Sequence, residues 1–232
     1  MLSEIMQGPM TWMFRMNPQN CPEWIVSRIG IATVNSRRAF YTLDRIIRSM
    51  PKIEGSIAEC GVYRGSSLLG MTRLLRQKNC KARVFGLDSF EGFPEPSKED
   101  HQSDGSAHPD VEKGHFNDTS YEALSNKAKA VGFDDQITLF KGYFENTLHN
   151  LKNEKFSLVH IDCDLYQPYK QCLEFFYDKV LPGGYIVFDE YSFSKDVYPG
   201  AQKAIDEFLA DKPEKIQSFP EYPDTRYFIV KQ

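Results

Sequence analysis

No apolar run in this 232-residue chain is long and unbroken enough to be a membrane span or a secretory leader, because Glu4, Pro9, Arg15 and Pro18 interrupt the Met- and Trp-bearing N-terminus. A soluble, cytoplasmic protein with no membrane partner is expected. Excess positive charge is missing too. Lys and Arg number 28 against 32 Asp and Glu, for a formal net charge of −4, so no basic stripe is available to displace counterions from phosphates, which argues against nucleic-acid binding. Cysteine is sparse and unpatterned. There are five, an odd number, with no CxxC pair, which gives neither a disulfide framework nor a zinc site. Cys60, Cys163 and Cys172 read instead as small buried hydrophobes of a reducing compartment. Internal repeats and low-complexity tracts are also absent. Hydrophobic residues make up 41% of the chain, enough for one sizeable α/β core.

What is present centres on Ile57 to Ser67, IAECGVYRGSS. It reads as a buried strand that turns sharply at Gly61 and Gly65 into a helix whose apolar face is Leu68, Leu69, Met71, Leu74 and Leu75. Ser66 and Ser67 stand where a helix start favours N-caps. Such strand-turn-helix units present free backbone N–H groups to a crevice at the carboxyl ends of parallel strands, where doubly wound α/β proteins hold nucleotide-like ligands. The turn lacks the three-glycine spacing of a dinucleotide site. Glu59 would repel a phosphate but welcome an amino group or a ribose hydroxyl, which suits S-adenosylmethionine better than NAD.

Around this unit the chain alternates strands and helices. Residues 1–50 form an appendage, Met-rich at first and then helical through Phe40, Leu43, Ile46 and Ile47 until Pro51. They lid the site or cover a sheet edge. Arg83–Leu87 is a second strand that delivers Asp88 and Ser89 about 20 residues past the first turn, where an acid accepts ribose hydroxyls. Residues 90–117, rich in Pro, Gly, Ser and Asp, read as a long loop over the site, with His101, His108 and His115 solvated in it. A helix from Tyr121 to Val131 follows, then a third strand, Ile137–Lys141, whose end supplies Gly142, Tyr143 and Phe144.

The fourth strand, Phe156–Ile161, runs into Asp162-Cys163-Asp164; the fifth, Tyr185–Phe188, runs into Asp189-Glu190. A helix and Leu181-Pro182-Gly183-Gly184 join them, so a right-handed crossover brings both acidic ends to one crevice. Carboxylates gathered this way repel one another. Either a hard divalent cation, Mg²⁺ or Ca²⁺, resolves the repulsion, or one acid is protonated or meets lysines from elsewhere. A final helix, Ala201–Leu209, and a last strand, Arg226–Val230, complete the pattern.

IAECGVYRGSS, FGLDSFEGFPEP, KGYFENTL, HIDCDLYQPYKQCLEFFYDKVLPGGYIVFDEY and the GAQKAIDEF helix together resemble, in order, the macrocin O-methyltransferase (TylF/MycF-like) family. The resemblance implies a Rossmann-like class I methyltransferase fold, with a mostly parallel seven-stranded sheet, helices on both faces and an antiparallel last strand, in residues 51–232. It implies S-adenosylmethionine held by Glu59, Gly61, Tyr63, Ser66, Ser67, Asp88, Ser89, Gly142, Tyr143, Phe144 and Asp162. By motif position it implies Mg²⁺ on Asp162, Asp189 and Glu190, although the family usually has two aspartates where this chain has Asp189-Glu190. The expected activity is methyl transfer to a hydroxyl of a small sugar-like acceptor, and family habit adds a homo-oligomer. Asp164 and His160 are the candidate bases beside Asp162. Methylation of a catechol-like diol and a non-catalytic ligand-binding domain are the rival readings.

Overall fold

Short apolar runs bounded by turn residues form a six-stranded sheet in this computed structural model, which describes residues 26, 29–34, 40–191, 197–221 and 226–232. The strands are β1 (Ser56–Cys60), β2 (Val84–Asp88), β3 (Ile137–Lys141), β4 (Phe156–Ile161), β5 (Val180–Phe188) and β6 (Tyr227–Val230). Their spatial order is β3-β2-β1-β4-β5-β6, with every neighbouring pair parallel except β5–β6. β1 and β4 are buried along their whole length, as central parallel strands covered on both faces must be.

The helices are α1 (Phe40–Ser49), α2 (Ser66–Gln77), α3 (Tyr121–Ala130), the single turn α4 (Phe144–Thr147), α5 (Tyr166–Phe176) and α6 (Pro199–Leu209). They divide between two cores. Ile57 and Leu158 pack with Leu43, Ile47, Leu68 and Leu124 of α1, α2 and α3; Ala58 and Val159, one residue on, pack with Tyr169, Phe176 and Ile205 of α5 and α6. The period-two alternation of a strand therefore builds both layers.

Two sequence expectations change. Among the described residues the seventh strand is reduced to one bridge, in which Gln217 and Phe228 exchange hydrogen bonds of 2.8 and 2.9 Å beside β6. Pro213 and Pro220 flank Gln217, and proline cannot donate to a ladder, so pairing stops there. The cap of α2 is Gly65 (φ +77°), with Ser66 and Ser67 already helical. Leu124 lies where a Gly65 side chain would go, which leaves glycine as the residue able to turn there.

The helix expected before Pro51 is α1. It lies close on α2 because a Cβ on Gly70 would stand 2.7 Å from the Phe40 ring and 2.6 Å from the Ala32 carbonyl. The Met-rich stretch, residues 1–25, is outside the described residues.

Candidate active site

The parallel arrangement puts the ends of β1 to β5 along one edge, where a cavity of about 730 Å³ opens. Its first wall is built by close backbone approach. Gly61 (φ +84°) lies so near the β4 turn that a Cβ would be 1.7 Å from the Asp162 carbonyl oxygen. The Asp88 carboxylate accepts from the Tyr63 N–H at 2.8 Å and the Phe90 N–H at 2.7 Å, and the Gly142 N–H donates to the Asp88 carbonyl at 2.9 Å. Asp88 thus ties three turns into one rim. Gly61, Tyr63, Ser66, Ser67, Asp88, Ser89, Gly142, Tyr143, Phe144 and Asp162 all line the cavity, with the N-terminus of α2 facing it.

Glu59 and His160 do not line it. They sit directly opposite each other on β1 and β4, fully buried, with His160 Nδ1 2.8 Å from Glu59 Oε1. His160 Nε2 stands 3.3 Å from Asp189 Oδ1, an ion-pair distance without hydrogen-bond geometry. The same Oδ1 accepts from Nε of Arg226, the residue just before β6. A row of alternating charge, Arg226, Asp189, His160, Glu59, therefore crosses four adjacent strands, and of the four Asp189 lines the cavity. Burial would lower the His160 pKa, but Asp189 and Glu59 reverse this and hold it up at about 10. Burial would raise Asp189, and Arg226 and then His160 pull it below the usual carboxylate range.

Asp162, Asp164 and Glu190 face the opposite balance. One oxygen from each lies within 4.8 Å of the others. Asp162 is pushed up to about 7 by burial and by Asp189, Asp164 well above its ordinary value by burial and Asp162, and Glu190 likewise by burial and Asp164. Among the described residues neither hydrogen bond nor ion pair reaches the carboxylates of Asp162 and Asp164. Glu190 meets the buried hydroxyl of Tyr169 on α5. Oxygen donors gathered this closely suit a hard divalent cation. The geometric group contains Asp164 where motif position put Asp189.

The long loop closes the remaining side. Gly92, Phe93, Pro94, Glu95 and Phe116 line the cavity with Tyr198. Phe116 (φ +65°) packs edge-on to Tyr63 and Phe93, both at 5.3 Å, and Phe93 to Tyr198 at 6.3 Å. Asp100, 2% exposed, anchors the loop by accepting from the Tyr166 N–H at 2.7 Å at the start of α5 and from the Ser97 N–H. His101 bonds the Ser97 carbonyl and His115 packs edge-on against Phe116. None of the loop histidines joins a metal-like group among the described residues.

Sequence reasoning missed Arg226 and Tyr169. Arg226 carried one signal. It opens a strand that pairs antiparallel with β5, which sets it beside Asp189, the residue after Phe188 in the register Phe188 to Tyr227.

A family model described as Macrocin-O-methyltransferase (TylF) matches residues 7–218. A 30% identical relative from Streptomyces olivaceus, matched over 60% of this chain and 54% of its own, is the 8-demethyl-8-(2,3-dimethoxy-alpha-L-rhamnosyl)-tetracenomycin-C 4'-O-methyltransferase. The mycinamicin III 3''-O-methyltransferase of Micromonospora griseorubida is 26% identical over 84% of this chain and 74% of its own. The chain thus spans about half to three quarters of the length of these curated relatives. Among solved structures, the calicheamicin methyltransferase CalS11 superposes with a TM-score of 0.73 at 21% identity, covering 95% of this chain and 91% of its own. That likeness establishes the class I methyltransferase fold.

Proposed function

The chain belongs to the macrocin O-methyltransferase family, and from that premise we propose that it methylates a hydroxyl of a sugar or sugar-bearing natural product, using S-adenosylmethionine and Mg²⁺. The carrying observation is that one cavity joins two unlike halves: a backbone-built rim around Asp88 and a group of converging carboxylates around Asp162. Two similar proteins are named for rhamnose-bearing acceptors, the tetracenomycin methyltransferase and a TDP-rhamnose 3'-O-methyltransferase.

The residues fit the methyl donor. Asp88 retains acceptor capacity for ribose hydroxyls on oxygens already fixed by two N–H groups. The first turn of α2, with its free N–H groups and positive dipole end, suits an amino-acid carboxylate. Gly142 and Tyr143 leave open backbone for a flat base. Bound S-adenosylmethionine supplies an electrophilic sulfonium methyl; transfer forms a C–O bond, breaks a C–S bond and releases a neutral thioether.

The residues also fit a cation, with Asp162 and Glu190 common to the motif-implied set and the geometric group. Bound Mg²⁺ would supply Lewis acidity that lowers the pKa of a coordinated hydroxyl. The acceptor's proton must leave as the C–O bond forms, and Asp164 is assigned as its acceptor. It lines the cavity, whereas His160 is walled off between Glu59 and Asp189. Burial raises the proton affinity of Asp164, which helps a base take a proton from a weak acid. Phe93, Phe116 and Tyr198 exclude water and offer an apolar wall to the acceptor's C–H face.

Calorimetric titration with S-adenosylhomocysteine, run beside NAD, tests the cofactor half; saturable binding of the first alone is expected. Methyl transfer to rhamnosyl acceptors, with Mg²⁺ and then with EDTA, tests the rest. Turnover on catechols but not on sugars would replace the acceptor class. Cofactor binding with no transfer to either acceptor would favour a non-catalytic domain.

A further inference from the structure

We infer that Asp100, carried in by the long loop, is a positioning residue for Asp164: it supplies the cap that the start of α5 lacks and so holds the strained turn that presents Asp164 to the cavity. The inference rests on the reading above, in which Asp164 takes the acceptor's proton, and adds the residue through which the loop reaches that group.

Asp164 stands on an unfavourable piece of backbone. Its φ is +63°, in the left-handed region that residues with a side chain seldom occupy, and the Leu165 N–H closes back on the Cys163 carbonyl at 2.6 Å. A three-residue bond around a left-handed centre is the rarer, strained form of γ-turn. Such a turn persists only where its surroundings hold it. The chain just beyond it gives little help, because Leu165 is the N-cap of α5 and has no side-chain oxygen to meet the first N–H groups of the helix.

Asp100 fills that gap from 66 residues away in sequence. Its Oδ1 accepts from the Tyr166 N–H at 2.7 Å in a buried contact, while Oδ2 accepts from the Ser97 N–H at 2.7 Å and the Ser97 hydroxyl at 2.8 Å. One carboxyl group is therefore shared between the loop and α5. The fit leaves no slack, since a Cβ on Gly200, in the first turn of α6, would stand 2.0 Å from the same Oδ1. Leu165, 1% exposed, packs with Phe93 and Val111 of the loop. Both residues that follow Asp164 are thus fixed by the loop, one through its side chain and the next through its N–H. Asp100 does not itself line the cavity, whereas Asp164 does, so the influence of Asp100 on the reaction passes through the turn. Without Asp100 the Tyr166 N–H loses its partner, and the turn is free to relax and carry the Asp164 carboxyl with it.

Kinetics of the full chain with Mg²⁺ and a rhamnosyl acceptor give the first test. Asp100→Ala should lower kcat by about 30-fold or more while KM for S-adenosylmethionine stays within about three-fold. Asp100→Asn, whose amide oxygen still reaches the Tyr166 N–H, should recover kcat to within about three-fold of the wild type. The backbone gives the second test, by nuclear magnetic resonance of the ¹³C,¹⁵N-labelled chain saturated with S-adenosylhomocysteine. The Cα and Cβ resonances of Asp164 should leave their left-handed positions in Asp100→Ala and return to them in Asp100→Asn. An unchanged kcat in Asp100→Ala, a loss in Asp100→Asn as deep as in Asp100→Ala, or an Asp164 that stays left-handed without Asp100 overturns the inference. Should Asp100→Ala fail to bind S-adenosylhomocysteine and so report misfolding, Asp100→Ser, whose hydroxyl ends short of the Tyr166 N–H, decides by the same criteria. A wild-type protein that transfers methyl to no acceptor defeats the reading of Asp164 as the base, and the resonances of Asp164 then decide the positioning alone.

Discussion

Tyr169 sets a single hydroxyl between the Ile161 carbonyl, 2.7 Å away, and the Glu190 carboxyl. One phenol has one proton, so it donates to only one of these acceptors at a time. The hydroxyl is oriented as donor toward both, so its proton is divided between a carbonyl and a carboxyl that each accept. Burial and the repulsion of Asp164 raise Glu190 well above its ordinary pKa, and the Tyr169 hydroxyl works against that rise. Tyr169→Phe should cost about 1–3 kcal/mol of stability in urea unfolding, the penalty of orphaning buried polar groups. S-adenosylhomocysteine affinity should stay within a few-fold, because Tyr169 does not line the cavity. Unchanged unfolding would mean that the hydroxyl is not the partner Glu190 depends on.

Asp88 and Gly61 divide the cofactor rim between charge and space. Asp88→Asn replaces one acceptor oxygen by an N–H₂ group that must face either the Tyr63 or the Phe90 N–H. The variant should bind S-adenosylhomocysteine at least about ten-fold more weakly in calorimetry, a loss of about 1.4 kcal/mol. Gly61→Ala meets the Asp162 carbonyl oxygen at 1.7 Å, and in addition its φ of +84° is strained for alanine. It should lower the thermal midpoint and abolish binding together. Binding that survived Gly61→Ala would mean that the two turns can part.

The strands, the crossover order and most of the rim were legible because each is written locally: apolar runs of four to six residues, glycines at turns and an acid at a strand end. The side on which Glu59 faces was not. Five consecutive buried residues in β1 give no alternation to tell cavity from interior, so the partner that claims Glu59, His160 on the adjacent strand, had to be seen. Arg226 was hidden for another reason. It is 37 residues from Asp189, and its position depends on β6 pairing antiparallel after a proline-broken link. That the described residues hold six strands where seven were expected has the same origin, since prolines decide how far a ladder runs while apolar pattern alone does not.

His160 separates a structural role from a catalytic one. Its imidazole bridges Glu59 and Asp189 and is 1% exposed. His160→Gln leaves both carboxylates without a cationic neighbour between them, so about 3–5 kcal/mol of stability should be lost. A variant that still folds at low temperature should retain S-adenosylhomocysteine binding. If the stability loss is small while turnover falls by orders of magnitude, the imidazole takes part in proton transfer after all.

Glu214 supplies a pH-dependent clamp on the strand that carries Arg226. Lys231, just past β6, donates to its Oε1 at 2.9 Å, the Gln232 N–H approaches the same oxygen at 3.4 Å, and the Tyr177 hydroxyl donates to Oε2. Burial would raise this carboxyl, but Tyr177 and then Lys231 overcome that and hold it at about 2, below its ordinary 4.5. A carboxyl depressed on folding stabilises the protein above its unfolded pKa, and the contribution fades as pH falls toward the folded value. The advantage of the wild type over Glu214→Gln should therefore be full above pH about 4.5 and shrink as pH drops toward about 2. Urea unfolding of both proteins across that range measures it. A difference that stays constant with pH would show that Glu214 contributes through packing and neutral hydrogen bonds, and that its charge does not hold the end of β6.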